Sequence, residues 1–141
     1  MFYGEFDYKI DEKGRVPLPP RFRTVLKDGM VLVAGADKCI TVYTLPEWKK
    51  LSDTLTGSAV VRDKIRTLNR VIFAGAFPTK LDNQGRIAIP APLRDHAQIE
   101  NDVVVAGANT YLEIWNQALW EELKRISQEK AWQIIESLEN N

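Results

Sequence analysis

The pattern Asp-x-x-Gly-Arg occurs twice in this 141-residue chain: Asp11, Gly14 and Arg15, then Asp82, Gly85 and Arg86. A carboxylate set four residues before a guanidinium, across a glycine, suits two uses. An arginine at a turn pairs bidentately with a guanine edge or a phosphate, while the aspartate orients it and closes the turn through its side chain. Alternatively the two form a local ion pair worth under about 1 kcal/mol. Residue types alone leave both open. Further cations crowd the pattern. Residues 9–23 carry Lys9, Lys13, Arg15, Arg21 and Arg23 against Asp11 and Glu12, and residues 80–94 carry Lys80, Arg86 and Arg94 against Asp82. Residues 116–141 compensate with an acidic excess, so the 19 basic and 19 acidic residues cancel and the isoelectric point lies near 6.6. Nucleic-acid modules commonly show a basic excess. Here the positive charge is local, a footprint on a neutral chain.

Other chemistry is sparse. His96 is the single histidine; its counterpart in the first half is Val25, and a surface or helix-end role is expected. Cys39, the single cysteine, is expected to pack as a thiol, with no second cysteine for a disulfide or a zinc site. The adjacent carboxylates Asp11 and Glu12 become Asp82 and Asn83 in the second half, which removes the acid–base pair. No phosphate-cradling glycine loop is present. The expectation is a non-enzyme with no catalytic residue, no cofactor or metal and no small-molecule substrate.

The elements that position these residues come in two copies. Gly4–Arg23 laid over Gly75–Arg94 repeats Gly4/Gly75, Phe6/Phe77, Lys9/Lys80, Asp11/Asp82, Gly14/Gly85, Arg15/Arg86, Pro19/Pro90 and Arg23/Arg94. After one inserted residue the match resumes, with Val33-Ala34-Gly35-Ala36 on Val105-Ala106-Gly107-Ala108 and Trp48 on Trp120. Alternation over Phe6–Ile10 predicts a half-buried strand. Asp11–Gly14 reads as a type I turn, making a hairpin tip with a strand over Arg15–Leu18. Prolines then open a short helix, Pro20 to Leu26 and again Ala91 to Ala97. A second hairpin follows at Met30–Ala36 and Ile40–Thr44, repeated at Val103–Gly107 and Tyr111–Trp115. Helices begin near Pro46 and near Gln117. Each copy reads β-β-α-β-β-α, and a unit so small is expected to share one core with its twin. The repeats are placed at residues 5–49 and 76–121, with a linking helix over 58–74 and a C-terminal helix over 122–138. In the linking helix Val61, Ile65, Leu68 and Ile72 make an apolar face, Arg62, Arg66 and Arg70 a basic stripe, and Thr56-Gly57-Ser58 a break and cap. The longest uncharged run, Val103 to Leu112, is far below the roughly 20 residues of a membrane span, and no export signal follows Met1. A soluble intracellular protein with an α+β fold is expected.

Two tandem copies of Asp-x-x-x-Arg, the first written Asp11-Glu12-Lys13-Gly14-Arg15-Val16-Pro17-Leu18-Pro19, resemble the MraZ family of bacterial transcriptional regulators. Each half is similar to the SpoVT/AbrB swapped-hairpin DNA-binding domain. The resemblance covers essentially the whole chain, including the arginine-rich segment leading into Phe73-Ala74-Gly75-Ala76. It implies a pseudo-twofold pair of swapped hairpins in a cytoplasmic, nucleoid-associated repressor. Such a protein forms ring-shaped homo-oligomers and binds double-stranded DNA at short direct repeats upstream of its own division and cell-wall operon. Asp11, Arg15, Asp82 and Arg86 match the family's signature. On this reading Arg15 and Arg86 contact base or phosphate, Asp11 and Asp82 orient them, and Gly14 and Gly85 permit the turns. Lys9, Lys13, Lys80, Arg21 and Arg23 supply charge to phosphates. The second copy departs from the first at Asn83-Gln84, losing one cation at its tip. Two rivals remain: a ring-forming scaffold or antitoxin-like partner acting through its C-terminal helix, and an RNA-binding module. The latter calls for aromatic residues at the tips, and neither tip has one.

Overall fold

The computed structural model describes residues 1–57 and 62–140. The first copy contains β1 (Glu5–Lys9), β2 (Arg15–Pro17), α1 (Pro20–Arg23), β3 (Met30–Ala34), β4 (Ile40–Thr44) and α2 (Leu45–Gly57). After α3 (Arg62–Leu68) and a π-helical turn (Asn69–Phe73), the second copy repeats the order. It has β5 (Phe77–Thr79), β6 (Arg86–Ala88), α4 (Ala91–Ala97), β7 (Asp102–Gly107), β8 (Tyr111–Asn116) and α5 (Gln117–Glu139). The expected α+β repeat is therefore present. Ser58 and Val61, assigned above to the helix break and the apolar face, lie outside the described residues.

The second expected hairpin of each copy forms in place, as β3–β4 and β7–β8, but the first is exchanged between the copies. The turn after β1 closes, but β1 does not pair with β2. Instead β1 pairs antiparallel with β7 of the second copy, and β5 pairs with β3 of the first. The result is a six-stranded sheet in the order β1-β7-β8-β4-β3-β5, with β2 and β6 forming a separate two-stranded ribbon. Exchange lets each copy bury the half-apolar strand that it could not bury alone.

The register reveals a pseudo-twofold axis. In the ribbon Val16 pairs with its own counterpart Ile87, and in the large sheet Thr41 pairs with its counterpart Glu113. The axis passes through both pairs and threads the core between them. Val16, Leu18, Ile87, Ile89, Leu32, Val42, Leu112 and Ile114 are fully buried along it. Each such side chain contributes about 1.5–3 kcal/mol relative to exposure, so the ribbon carrying the repeated motif is anchored in the same core as the main sheet.

The copies differ where tertiary demands differ. α1 stops at Arg23, short of the expected Leu26, and continues as turns. β-Branched Thr24 and Val25 stand where the second copy has Asp95 and His96, and they lose side-chain freedom in a helix. α4 completes its run and ends on Gln98 in the left-handed region. α5 is capped by the Asn116 side chain, which accepts from the Ala118 and Leu119 amides, and Glu5 of β1 holds it through Trp120 and Lys124. Beyond these ties Trp132, Ile134, Ile135 and Leu138 are exposed. Among the described residues no helix is long and apolar enough to cross a membrane.

Candidate nucleic-acid interface

Strand alternation decides which way the repeated arginines face. Val16 and Ile87 point into the core, so Arg15, Pro17, Arg86 and Ala88 share the outer face of the ribbon. Arg15 lies opposite Ala88 and Arg86 opposite Pro17. Each long side chain thus faces a short one, and the two arginines stand diagonally across the pseudo-axis.

The turns that lead into the ribbon are built alike. The Asp11 amide donates to the Arg15 carbonyl at 3.0 Å and the Gly14 amide to the Asp11 carbonyl at 3.0 Å. The corresponding bonds at Asp82 and Gly85 are 2.8 and 3.1 Å. Gly14 (φ +77°) and Gly85 (φ +74°) occupy the left-handed region that a β-carbon disfavours. Each aspartate then works on two levels. Asp11 Oδ1 accepts from the amides of Lys13 (2.9 Å) and Arg15 (2.8 Å), while Oδ2 accepts from Arg15 Nε at 2.7 Å. Asp82 Oδ1 accepts from Gln84 and Arg86, and Oδ2 from Arg86 Nε at 3.0 Å. The Arg15 amide is the largest cause holding the Asp11 carboxyl below the usual range, and the Arg86 amide does the same for Asp82.

Each aspartate takes the Nε edge of its own arginine and leaves that arginine's Nη groups to other partners. Among the described residues the Nη groups of Arg15 have no hydrogen-bond partner, so the end that forks onto a guanine or a phosphate is available. One cross-contact breaks the symmetry: Asp11 Oδ2 also lies 3.7 Å from Arg86 Nη1, so this carboxylate serves both arginines.

The remaining cations divide by environment. The Lys13 and Lys80 side chains are exposed, with no ion-pair partner among the described residues. Lys9 pairs with Asp102 at 2.9 Å. The Arg21 guanidinium lies over the rings of Phe6 and Phe22, 4.9 and 5.4 Å from their centroids. Arg23 Nε donates to the Leu18 carbonyl at 2.9 Å. Its counterpart Arg94, counted above among the cations around the second turn but given no DNA-contacting role, donates from Nη1 to the Ile89 carbonyl at 2.6 Å. The signal was in the sequence, since Arg23/Arg94 is one of the repeated pairs. Arg62, Arg66 and Arg70 stand on exposed turns of α3 and the π-helical segment.

The residues weighed for other chemistry have structural partners. His96 Nε2 lies 3.1 and 3.0 Å from the Gly35 and Asp37 carbonyls and stitches α4 to the β3–β4 turn. Cys39 is buried, and desolvation, reinforced by Glu113, pushes its thiol up to about 12, so it stays protonated. Among the described residues no cluster of His, Cys, Asp or Glu is arranged to hold a metal ion.

A family model described as "MraZ protein, putative antitoxin-like" matches residues 1–70 and again residues 72–137, one match for each copy. The chain belongs to the MraZ family. Among its relatives, the protein named Transcriptional regulator MraZ from Dehalococcoides mccartyi (strain ATCC BAA-2266 / KCTC 15142 / 195) is 55% identical over the full length of both chains. The protein of that name from Caldanaerobacter subterraneus subsp. tengcongensis is 40% identical across 99% of this chain and 98% of its own. That from Thermoanaerobacter pseudethanolicus is 41% identical across 99% and 97%. Similarity at this coverage takes in both turns and the ribbon between them.

Proposed function

We propose that this MraZ-family chain is a sequence-specific, double-stranded DNA-binding regulator of transcription initiation and not an enzyme. The ribbon β2–β6 is its reading element. The observation that carries this is the pair of arginines on one outward face, each held at Nε by an aspartate, with the Nη groups of Arg15 unbonded among the described residues and Arg86 Nη1 3.7 Å from Asp11. The major groove admits a two-stranded ribbon, and arginine on guanine is its commonest specific contact. The names of the relatives support a regulatory role. Lys13 and Lys80 contribute phosphate contacts beside the ribbon, setting register without reading sequence.

We further propose that the protein acts in the cytoplasm on nucleoid DNA, repressing its own operon from direct repeats upstream, as a ring-shaped homo-oligomer. One ribbon supplies two base-reading arginines, too few for the roughly 10⁻⁸ M or tighter affinity of a specific regulator. Joined protomers on matched repeats raise affinity by about 10²–10⁴ without a new kind of contact. The exposed apolar residues of α5 favour association. The test is fluorescence anisotropy with labelled DNA from upstream of the protein's own gene, against a shuffled sequence of equal length. Preferential binding that requires two or more repeats supports the proposal, and equal binding to both DNAs contradicts it.

A further inference from the structure

Arg23 and Arg94 occupy the same place in the two copies, and each crosses to the other copy's turn. A β-carbon on Gly85 would overlap the Arg23 guanidinium, and one on Gly14 would overlap that of Arg94. The planar groups therefore lie directly against the bare Cα atoms of the opposite glycines. The backbone around them is cross-linked in the same sense. Leu18 receives Arg23 at its carbonyl and donates its amide to the Gly85 carbonyl at 3.0 Å. Ile89 receives Arg94 at its carbonyl and donates to the Gly14 carbonyl at 2.8 Å. Both arginines are half-buried, and a charged donor on a carbonyl outweighs a neutral one.

We propose that Arg23 and Arg94 are positioning residues that form a reciprocal clamp, each fixing the signature turn of the other copy rather than contacting DNA. Arg94 stiffens the turn that presents Arg15, and Arg23 the turn that presents Arg86. The glycines then have a second duty besides their backbone angle, since only a residue without a side chain leaves room for the clamp. The two arginines that face outward are thereby held as one unit. A lysine could keep the charge but not the planar guanidinium that packs against the glycine. The consequence for binding rests on the DNA-reading proposal above, whereas the clamp itself is testable without DNA.

The experiment is residue-resolved amide hydrogen exchange on the full chain for wild type, Arg94→Ala, Arg23→Ala and the corresponding lysine variants. It is followed by affinity for the upstream DNA at several salt concentrations. Arg94→Ala is expected to speed exchange at Gly14 and Arg15 by about ten-fold or more, with Gly85 and Arg86 within about two-fold of wild type. Arg23→Ala is expected to do the reverse, and each lysine variant to show a smaller change of the same kind. If an alanine variant does not fold, its lysine variant carries the comparison. DNA affinity should fall about five- to fifty-fold with the salt slope unchanged, because no phosphate contact is removed. Unchanged exchange, acceleration confined to the mutated copy's own turn, or uniform acceleration throughout the chain would each overturn the clamp. So would a salt slope shallower by about 0.9 with normal exchange, the mark of a lost phosphate contact. Wild-type protein that binds no specific DNA would refute the regulatory proposal while leaving the exchange result to stand.

Discussion

The first signature turn and the second share a backbone but not a surface. Both close on the same aspartate, the same left-handed glycine and the same arginine, with matching hydrogen bonds. Yet the first exposes Glu12 and Lys13 where the second has Asn83 and Gln84, and among the described residues only the first turn's carboxylate lies near both arginines. The copies are alike in the residues that close the turns and unlike at the exposed tip positions between them. The difference separates two jobs: the repeated residues hold the arginines in place, and the variable ones set the charge around them. α2 and α5 show the same division. Both begin directly after the last strand of their copy; α2 is described over 13 residues to Gly57, and α5 over 23. The excess carries Trp132, Ile134, Ile135 and Leu138 into solvent.

Removing that excess breaks the second comparison most severely. A chain ending at Glu129 would leave α5 as long as α2. Sedimentation is expected to show a loss of the oligomer at micromolar concentration, and affinity for a tandem array is expected to fall about 10²–10⁴-fold toward that for a single repeat. An unchanged mass would place the association surface elsewhere.

The next largest effect should fall equally on the two turns. Gly14→Ala and Gly85→Ala each force a β-carbon into a left-handed conformation, at about 1–2 kcal/mol, and against an arginine as well. Chemical denaturation is expected to show each losing more than about 2 kcal/mol. A tolerated alanine at one site only would mean that the two turns are not built alike.

The equality of these turns was legible in the sequence, because the repeated Asp, Gly and Arg fixed both the turn type and its position. Strand identities were legible for the same reason: alternation over Phe6–Ile10 and the apolar runs around Val33 and Val105 left little choice. The partner of each strand was not legible from the residues. β1 has the same half-apolar face whether it pairs with β2 or with β7, and only the resemblance to swapped-hairpin domains pointed to exchange. Residue type likewise does not show that the Arg23 guanidinium lies against Gly85 of the other copy. The early end of α1 was hidden by Leu26, which is buried although it lies beyond the helix.

Charge at the tips should produce smaller, unequal effects. Lys13→Ala is expected to make the slope of log affinity against log salt shallower by about 0.9 per protomer–phosphate contact, without changing the preferred sequence. Gln84→Lys, which gives the second tip the missing cation, should steepen it by a similar amount. A change in sequence preference in either variant would contradict the division between holding and charging.

Acid should act on both turns in the same direction. Asp11 and Asp82 have lowered pKa values in the folded chain, chiefly through the Arg15 and Arg86 amides. Their stabilising contribution is therefore present above the ordinary carboxylate range, about pH 4, and is lost as pH falls through the lowered values. Carboxyl chemical shifts followed by NMR should show both titrating below the ordinary carboxylate range. Asp11→Asn and Asp82→Asn should weaken this part of the acid dependence.

The account rests most directly on the two arginines of the ribbon, and DNA affinity measured beside thermal unfolding tests them. Arg15→Ala and Arg86→Ala should each cost roughly 1–3 kcal/mol in binding to the upstream repeats, for one lost bidentate base contact. Unfolding should shift little, because a half-exposed ion pair is worth under about 1 kcal/mol. Wild-type affinity in both variants, with DNA protection mapped away from the ribbon, would contradict the central claim.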